Sequence, residues 1–327
     1  YSHFLSFHRF PMRNLSAVLV FASSLIASMA CLARDFPDAK RIVFLGDSIT
    51  YSGGYIEAIE AALLFQYPER RIELLNLGLP SETTSGLSEP GHADGNFPRP
   101  DLHERLARVL EQTKPDLVVA CYGMNDGMYY PQSQERFAKF QSGIERLHRM
   151  VELSNAKIVH LTPAHFDAQP IRERLLPAGL QEYRSPFAGY DNVLEDYSTW
   201  LLSRKDNAWQ VIDVHGAMKA ELAKRRLADS DYCFAKDGVH PNAEGQAIIA
   251  QVIADAWGLR LEGEFTSHPR AAEIRALIRE KQSILKHAWL TATRHLRPGI
   301  AAGQPLEEAQ SKAIALDERM RNILRDR

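Results

Sequence analysis

The stretch "RIVFLGDSIT", Arg41–Thr50, decides how the rest of the chain is read. Ile42, Val43, Phe44 and Leu45 form an unbroken apolar run, the pattern of a strand covered on both faces, and Gly46-Asp47-Ser48 is the turn that ends it. A hydroxyl there is either a helix N-cap or a nucleophile at the mouth of a sheet. Four further runs read as strands: Arg71–Leu77, Asp116–Tyr122, Ala156–Leu161 and Trp209–Val214. Helical patterns lie between them, at Gly54–Tyr67, around Leu102, Leu106, Val109 and Leu110, along Phe137, Phe140, Ile144, Leu147 and Val151, and at Val193–Arg204 and Ala243–Trp257. Short strands alternating with helices predict an α/β fold: a five-stranded parallel sheet with helices on both faces. Ligands of such sheets bind at the carboxyl ends of the strands, so the residues just after each strand are the candidates for function.

Bulk properties exclude little. Of the 327 residues, 45% are hydrophobic and 24% charged, so composition does not separate this chain from an ordinary globular protein. A formal charge of −2 leaves no footprint for nucleic acid or for a polybasic membrane patch. Three cysteines are too few for a disulfide framework, and no Cys/His spacing resembles a zinc site. Cys121 reads as a small buried thiol in a strand, with a Cys121–Cys233 bridge as the alternative in an oxidising compartment.

The first 33 residues have the layout of a leader. Met12 and Arg13 precede an uncharged stretch, Leu15–Ala33, closed by the small residues of "ASMACLA". This predicts a secretory signal peptide and an exported protein, periplasmic or extracellular. The alternative is an uncleaved membrane anchor, since about 19 uncharged residues just span a bilayer. Lipid attachment at Cys31 is a lesser variant, because Ser28 stands where such a site wants Leu. Once the leader is gone, no stable membrane partner is expected.

Two connections are longer than packing requires, Pro80–Pro100 and Thr162–Gly189. Both follow strands and read as binding loops on the ligand side. Beyond about residue 262 the pattern changes. Ile274, Leu277, Ile278, Leu285 and Trp289 form one helical stripe, "RPG" at Arg297–Gly299 interrupts it, and Leu306, Ala309, Ala313, Leu316, Met320 and Ile323 form a second. This predicts a C-terminal helical hairpin (residues 263–327) packed on the main domain (34–262), with dimerisation as the competing use of its seam.

Each strand end taken alone has a bland reading. Gly46-Asp47-Ser48 is a plausible cap, the Gly78 of "NLG" a turn, and Asn125 of "GMND" a residue in a tight turn. In "DGVHPN", Asp237 and His240 are three apart just before a helix, a spacing that folds a carboxylate onto Nδ1 and turns Nε2 outward as a base. Together, in this order, the four blocks resemble the SGNH (GDSL) hydrolase family over roughly Arg41–Trp257. The resemblance implies a flavodoxin-like three-layer α/β/α sandwich and an acyl-enzyme mechanism that needs no metal or cofactor. It makes Ser48 the nucleophile, His240 the general base and Asp237 its orienting acid. The oxyanion hole would comprise the Ser48 N–H, the Gly78 N–H and the Asn125 side-chain amide. No G-x-S-x-G elbow occurs.

Other polar residues take lesser parts. Asp47 reads as the organiser of its turn and Asp126 as structural. The "DVH" at Asp213–His215 lacks a partner serine. His160 and His165 read as satisfied core or loop histidines, while His92 and Arg99 are candidates for substrate contact. The expected substrate is a short-chain ester, an acetyl group on carbohydrate foremost. A lysophospholipase or short-chain lipase is the alternative within the family, and a non-catalytic glycan-binding protein the alternative outside it.

Overall fold

The computed structural model describes residues 1–3, 36–261 and 267–326. The expected leader (1–33) lies almost wholly outside them, and among the described residues no helix is long and apolar enough to cross a membrane. Residues Arg34–Arg327 form one compact unit.

The five strands form where the apolar runs fall. They are β1 (Arg41–Gly46), β2 (Glu73–Asn76), β3 (Leu117–Cys121), β4 (Lys157–Leu161) and β5 (Gln210–Ile212). All neighbours are parallel, in the order β2-β1-β3-β4-β5, which is the flavodoxin-like order. Every residue of β3 is buried, as expected of a central strand with helices on both sides. The sheet reverses its winding between β1 and β3, where Gly46 is paired with Cys121, so the ends of those two strands frame the crevice.

The helices are α1 (Ser48–Ser52), α2 (Gly54–Gln66), α3 (Leu102–Thr113), α4 (Gln134–Leu153), α5 (Tyr190–Ser203), α6 (Val214–Arg226), α7 (Ala243–Trp257), α8 (Ala271–Ala292) and α9 (Leu306–Arg325). Helix α2 packs on α7 and α3 on α4. Right-handed crossovers put these two pairs on opposite faces of the sheet, because the chain moves outward from β1 to β2 and back across to β3.

Four strands are shorter than their apolar runs, β2 and β5 the most. At β2, Arg71 turns out to solvent and pairs with Glu318 instead of joining the ladder. At β5, Asp213 stops the strand because its carboxylate accepts the Gly216 N–H as the cap of α6, which places Val214 in the helix. Cys121 and Cys233 are both free thiols, and burial pushes the Cys121 thiol well up.

The hairpin α8–α9 packs on the domain. Ile274, Leu277, Ile278, Met320 and Ile323 form a second apolar cluster with Ala61, Leu64 and Phe65 of α2. Beside it, Lys281 pairs with the buried Glu60, and Gln282 donates both to Glu60 (2.6 Å) and to the Leu74 carbonyl of β2 (3.0 Å). Lys286 donates to the Tyr51 carbonyl (2.7 Å), and Arg297 to the Pro80 carbonyl (2.9 Å). The hairpin therefore grips the helix that carries Ser48 and the loop that leaves β2.

Candidate active site

The chain leaves β1 through a turn that only glycine allows at position 46. A Cβ there would lie 2.1 Å from Thr50 Oγ1 and 2.8 Å from the Cys121 carbonyl. Asp47 then caps α1 by accepting the Ile49 N–H (2.9 Å). Burial raises the Asp47 carboxyl to about 7, against the hydrogen bond from Ile49 and the pull of nearby His240; Asp126 and Glu82 add to the rise. Asp47 thus organises the turn, as its position suggested. Ser48 follows as the first residue of α1, where a backbone N–H has no carbonyl within its own helix.

The Asp-x-x-His segment reaches the serine from the far end of the domain. Ser48 Oγ and His240 Nε2 are 2.8 Å apart, and His240 Nδ1 is 2.6 Å from Asp237 Oδ2. Asp237 Oδ1 accepts the N–H groups of Val239 (3.0 Å) and His240 (2.9 Å), so the carboxylate is held by its own turn. Burial works against the charged form here, but the bonds from the His240 ring and from these backbone amides prevail and hold the Asp237 carboxyl below its usual range. The turn needs Gly238 in the left-handed region (φ 82°), where a Cβ would meet the Asp167 carbonyl at 2.7 Å; the Asp167 N–H in turn bonds the Gly238 carbonyl (2.9 Å). Asn242 caps α7 through the Glu244 and Gly245 amides and so ends the segment.

Asn125 is buried beside this pair of strand ends. Its Oδ1 accepts from Arg99 Nη1 (2.9 Å) and the Tyr129 hydroxyl (3.3 Å), and its Nδ2 donates to the Glu82 carbonyl (3.4 Å). Arg99, a candidate for substrate contact from its loop position, is instead buried, its side chain engaged by Asn125 and Glu89. Asp126 is structural, as expected. Its Oδ1 accepts the Thr84 N–H and hydroxyl and the Ser85 N–H, which pins the loop after β2.

The Gly78 N–H, expected at the oxyanion, has a partner within its own turn. Its N–H donates to Asn76 Oδ1 (3.0 Å), while Asn76 Nδ2 donates to the Thr50 carbonyl (2.8 Å). One asparagine thereby ties β2 to α1. Gly78 must be glycine for steric reasons, since a Cβ would stand 2.4 Å from the Tyr51 nitrogen. Along this loop the amides of Leu79, Glu82, Thr83, Thr84 and Ser85 all have acceptors, and Pro80 has no N–H. The Ser81 N–H, at a left-handed φ of 67°, is the one in that run with no acceptor among the described residues.

Four other histidines, His148, His160, His165 and His215, have partners of their own. His148 and His160 stack with Trp209, and burial lowers His160 to about 3. His165 and His215 both face Asp191 Oδ1, at 2.7 and 3.0 Å. The Phe166 N–H (3.0 Å) and Lys219 (3.5 Å to Oδ2) complete its partners. Asp191 could join both imidazoles around a metal ion, but this carboxylate is already balanced by its donors. No spacing signal in the sequence could have paired Asp191 with His215, or Asn76 with Thr50.

Comparison with known proteins gives the family. The model of the GDSL-like lipase/acylhydrolase family matches residues 44–248. The chain belongs to this family. An acetylxylan esterase of Xylanibacter ruminicola is 25% identical over 224 residues, which is 67% of this chain and 43% of that protein. The chain thus spans less than half the length of that relative. In solved structures the fold recurs in an acetylxylan esterase from Geobacillus stearothermophilus, studied as a catalytic mutant (TM-score 0.52, 19% identity, 71% of this chain and 99% of that one). It recurs also in a gut microbial diltiazem-metabolizing enzyme (TM-score 0.50, 20% identity, 69% and 48%).

Proposed function

We propose that the protein is an exported serine esterase that removes small acyl groups, acetyl foremost, from a carbohydrate. The observation that carries the reading is the continuous chain from Ser48 Oγ through His240 to Asp237. A serine hydroxyl is a weak nucleophile and needs a base at this distance. As Ser48 Oγ bonds to the ester carbonyl carbon, its proton passes to His240 Nε2, and Asp237 stabilises the imidazolium. Collapse of the tetrahedral adduct breaks the bond to the alcohol, which leaves with that proton. Water, deprotonated by the same imidazole, then attacks the acyl-serine and releases the carboxylic acid and free Ser48.

The negative charge on the carbonyl oxygen needs donors that are in place beforehand. The Ser48 N–H and Asn125 Nδ2 fill this role. From the loop after β2, the unengaged Ser81 N–H is better suited than that of Gly78, which Asn76 already occupies. Two features support a carbohydrate. A relative named for acetylxylan matches two thirds of the chain. A cleft of about 840 Å³ also opens between the two long loops, and its lining includes Tyr130, Tyr183 and Glu182, aromatic rings and a carboxylate suited to sugar rings. Export rests on the Leu15–Ala33 stretch, which lies outside the described residues. The test is hydrolysis of p-nitrophenyl acetate and octanoate, and acetate release from acetylated xylan, beside Ser48→Ala. Acetyl turnover lost in the variant is expected; activity surviving Ser48→Ala overturns the reading, and preference for octanoate moves the substrate to lipid esters.

A further inference from the structure

We infer that Arg99 is a positioning residue that orients and polarises the Asn125 amide through a buried Glu89–Arg99–Asn125 relay. The inference rests on the oxyanion reading of Asn125 given above and deepens it. Arg99 comes from the long loop after β2, yet its side chain is only 5% exposed. Nε and Nη2 each bond one oxygen of Glu89 at 2.7 Å, and Nη1 bonds Asn125 Oδ1 at 2.9 Å. The guanidinium also lies over the Tyr129 ring (5.6 Å to its centroid), and the Tyr129 hydroxyl reaches the same Oδ1.

This arrangement dictates which way the amide points. A guanidinium donates and never accepts, so the Asn125 atom facing it must be the oxygen. Nδ2 then faces the other way and donates one hydrogen to the Glu82 carbonyl; on the oxyanion reading, the other is left for the reacting ester. Without Arg99 only two long contacts, from the Tyr129 hydroxyl (3.3 Å) and to the Glu82 carbonyl (3.4 Å), oppose a flipped amide, and a flipped amide would turn its oxygen on the developing oxyanion. A cation on the amide oxygen also draws electron density from Nδ2–H, and hydrogen bonds linked in this way strengthen one another. Glu89 neutralises and aligns the cation, so the site gains a sharper donor without a bare positive charge.

The test is a double-mutant cycle on the whole chain with p-nitrophenyl acetate: wild type, Arg99→Met, Asn125→Ala and the pair, each checked for folding by thermal melt. Removing one oxyanion donor typically costs on the order of 10²–10³ in kcat, which is the ceiling for a residue acting through that donor. Arg99→Met should therefore lower kcat roughly 10–100-fold with KM within about threefold, and should cost less than about twofold when Asn125 is already Ala. Arg99→Lys should recover part of the loss. Tyr129→Phe leaves the ion pair in place and serves if Arg99→Met does not fold; it should show a smaller loss that again vanishes with Asn125→Ala. Equal losses in both backgrounds, or wild-type kcat in folded Arg99→Met, overturn the inference alone. An Asn125→Ala variant with unchanged kcat overturns the oxyanion reading and this inference with it.

Discussion

Asp237 offers the sharpest test of the proposed mechanism. Its Oδ2 lies 2.6 Å from His240 Nδ1, but both side chains are about half exposed, at 51% and 52%. Buried acids in established triads cost about 10⁴ in kcat when made neutral. Solvent here screens the carboxylate, so the loss should be set instead by one charge-assisted hydrogen bond to the imidazolium, about 1.5–3 kcal/mol. At about 1.4 kcal/mol per factor of ten, Asp237→Ala should lower kcat roughly 10–150-fold. Asp237→Asn should do worse than Ala. Its amide can keep accepting the Val239 and His240 amides while presenting an N–H donor to Nδ1, which drives the imidazole proton to Nε2, where it blocks acceptance of the Ser48 proton. The assay is initial rates on p-nitrophenyl acetate at saturating substrate, with thermal melts to show that the turn survives. An Ala variant within threefold of wild type, or an Asn variant faster than Ala, would refute the argued role of this contact.

Three further outcomes are expected. Lys281→Met leaves the buried carboxylate of Glu60 without its cation, with Gln282 as its remaining donor, and should cost about 3–5 kcal/mol in urea unfolding; a loss below about 1 kcal/mol would show that the pair does not hold the hairpin. Asp47, raised by burial from 3.8 to about 7, binds its proton more tightly folded than unfolded, so its contribution to stability should be complete below pH 4 and fall away as pH rises to 7. Asp47→Asn, which keeps the cap, should flatten that part of the stability–pH profile, and an unchanged slope would contradict the assignment. Gly78→Ala places a methyl 2.4 Å from the Tyr51 nitrogen and should destabilise by about 1–3 kcal/mol while displacing Ser48, read as a lower melting temperature together with lost turnover.

Much of the site is local in the chain, which is why it was legible. Ser48 and its cap lie within one turn, and Asp237 and His240 share another, so spacing alone carries their chemistry. Strand positions were readable because unbroken apolar runs can only be covered on both faces. The ends of β2 and β5 were not, because Arg71 and Asp213 were drawn away by partners, Glu318 and the Gly216 amide, that periodicity does not register.

What the sequence determined by itself is the alternation of strands and helices and the blocks of reactive residues at the strand ends. Which backbone amide remains free could be decided only by the fold, because a donor is defined by what has already engaged it. The Gly78 N–H donates to Asn76, and the Ser81 N–H has no acceptor among the described residues. The same holds for Arg99, whose exposed-looking loop is tied down where Asp126 bonds Thr84 and Ser85, 42 and 41 residues away in the chain, and which itself bonds Glu89 and Asn125. Tertiary structure brought these residues together because burying a charge requires each of its donors and acceptors to find a partner, wherever in the chain that partner lies.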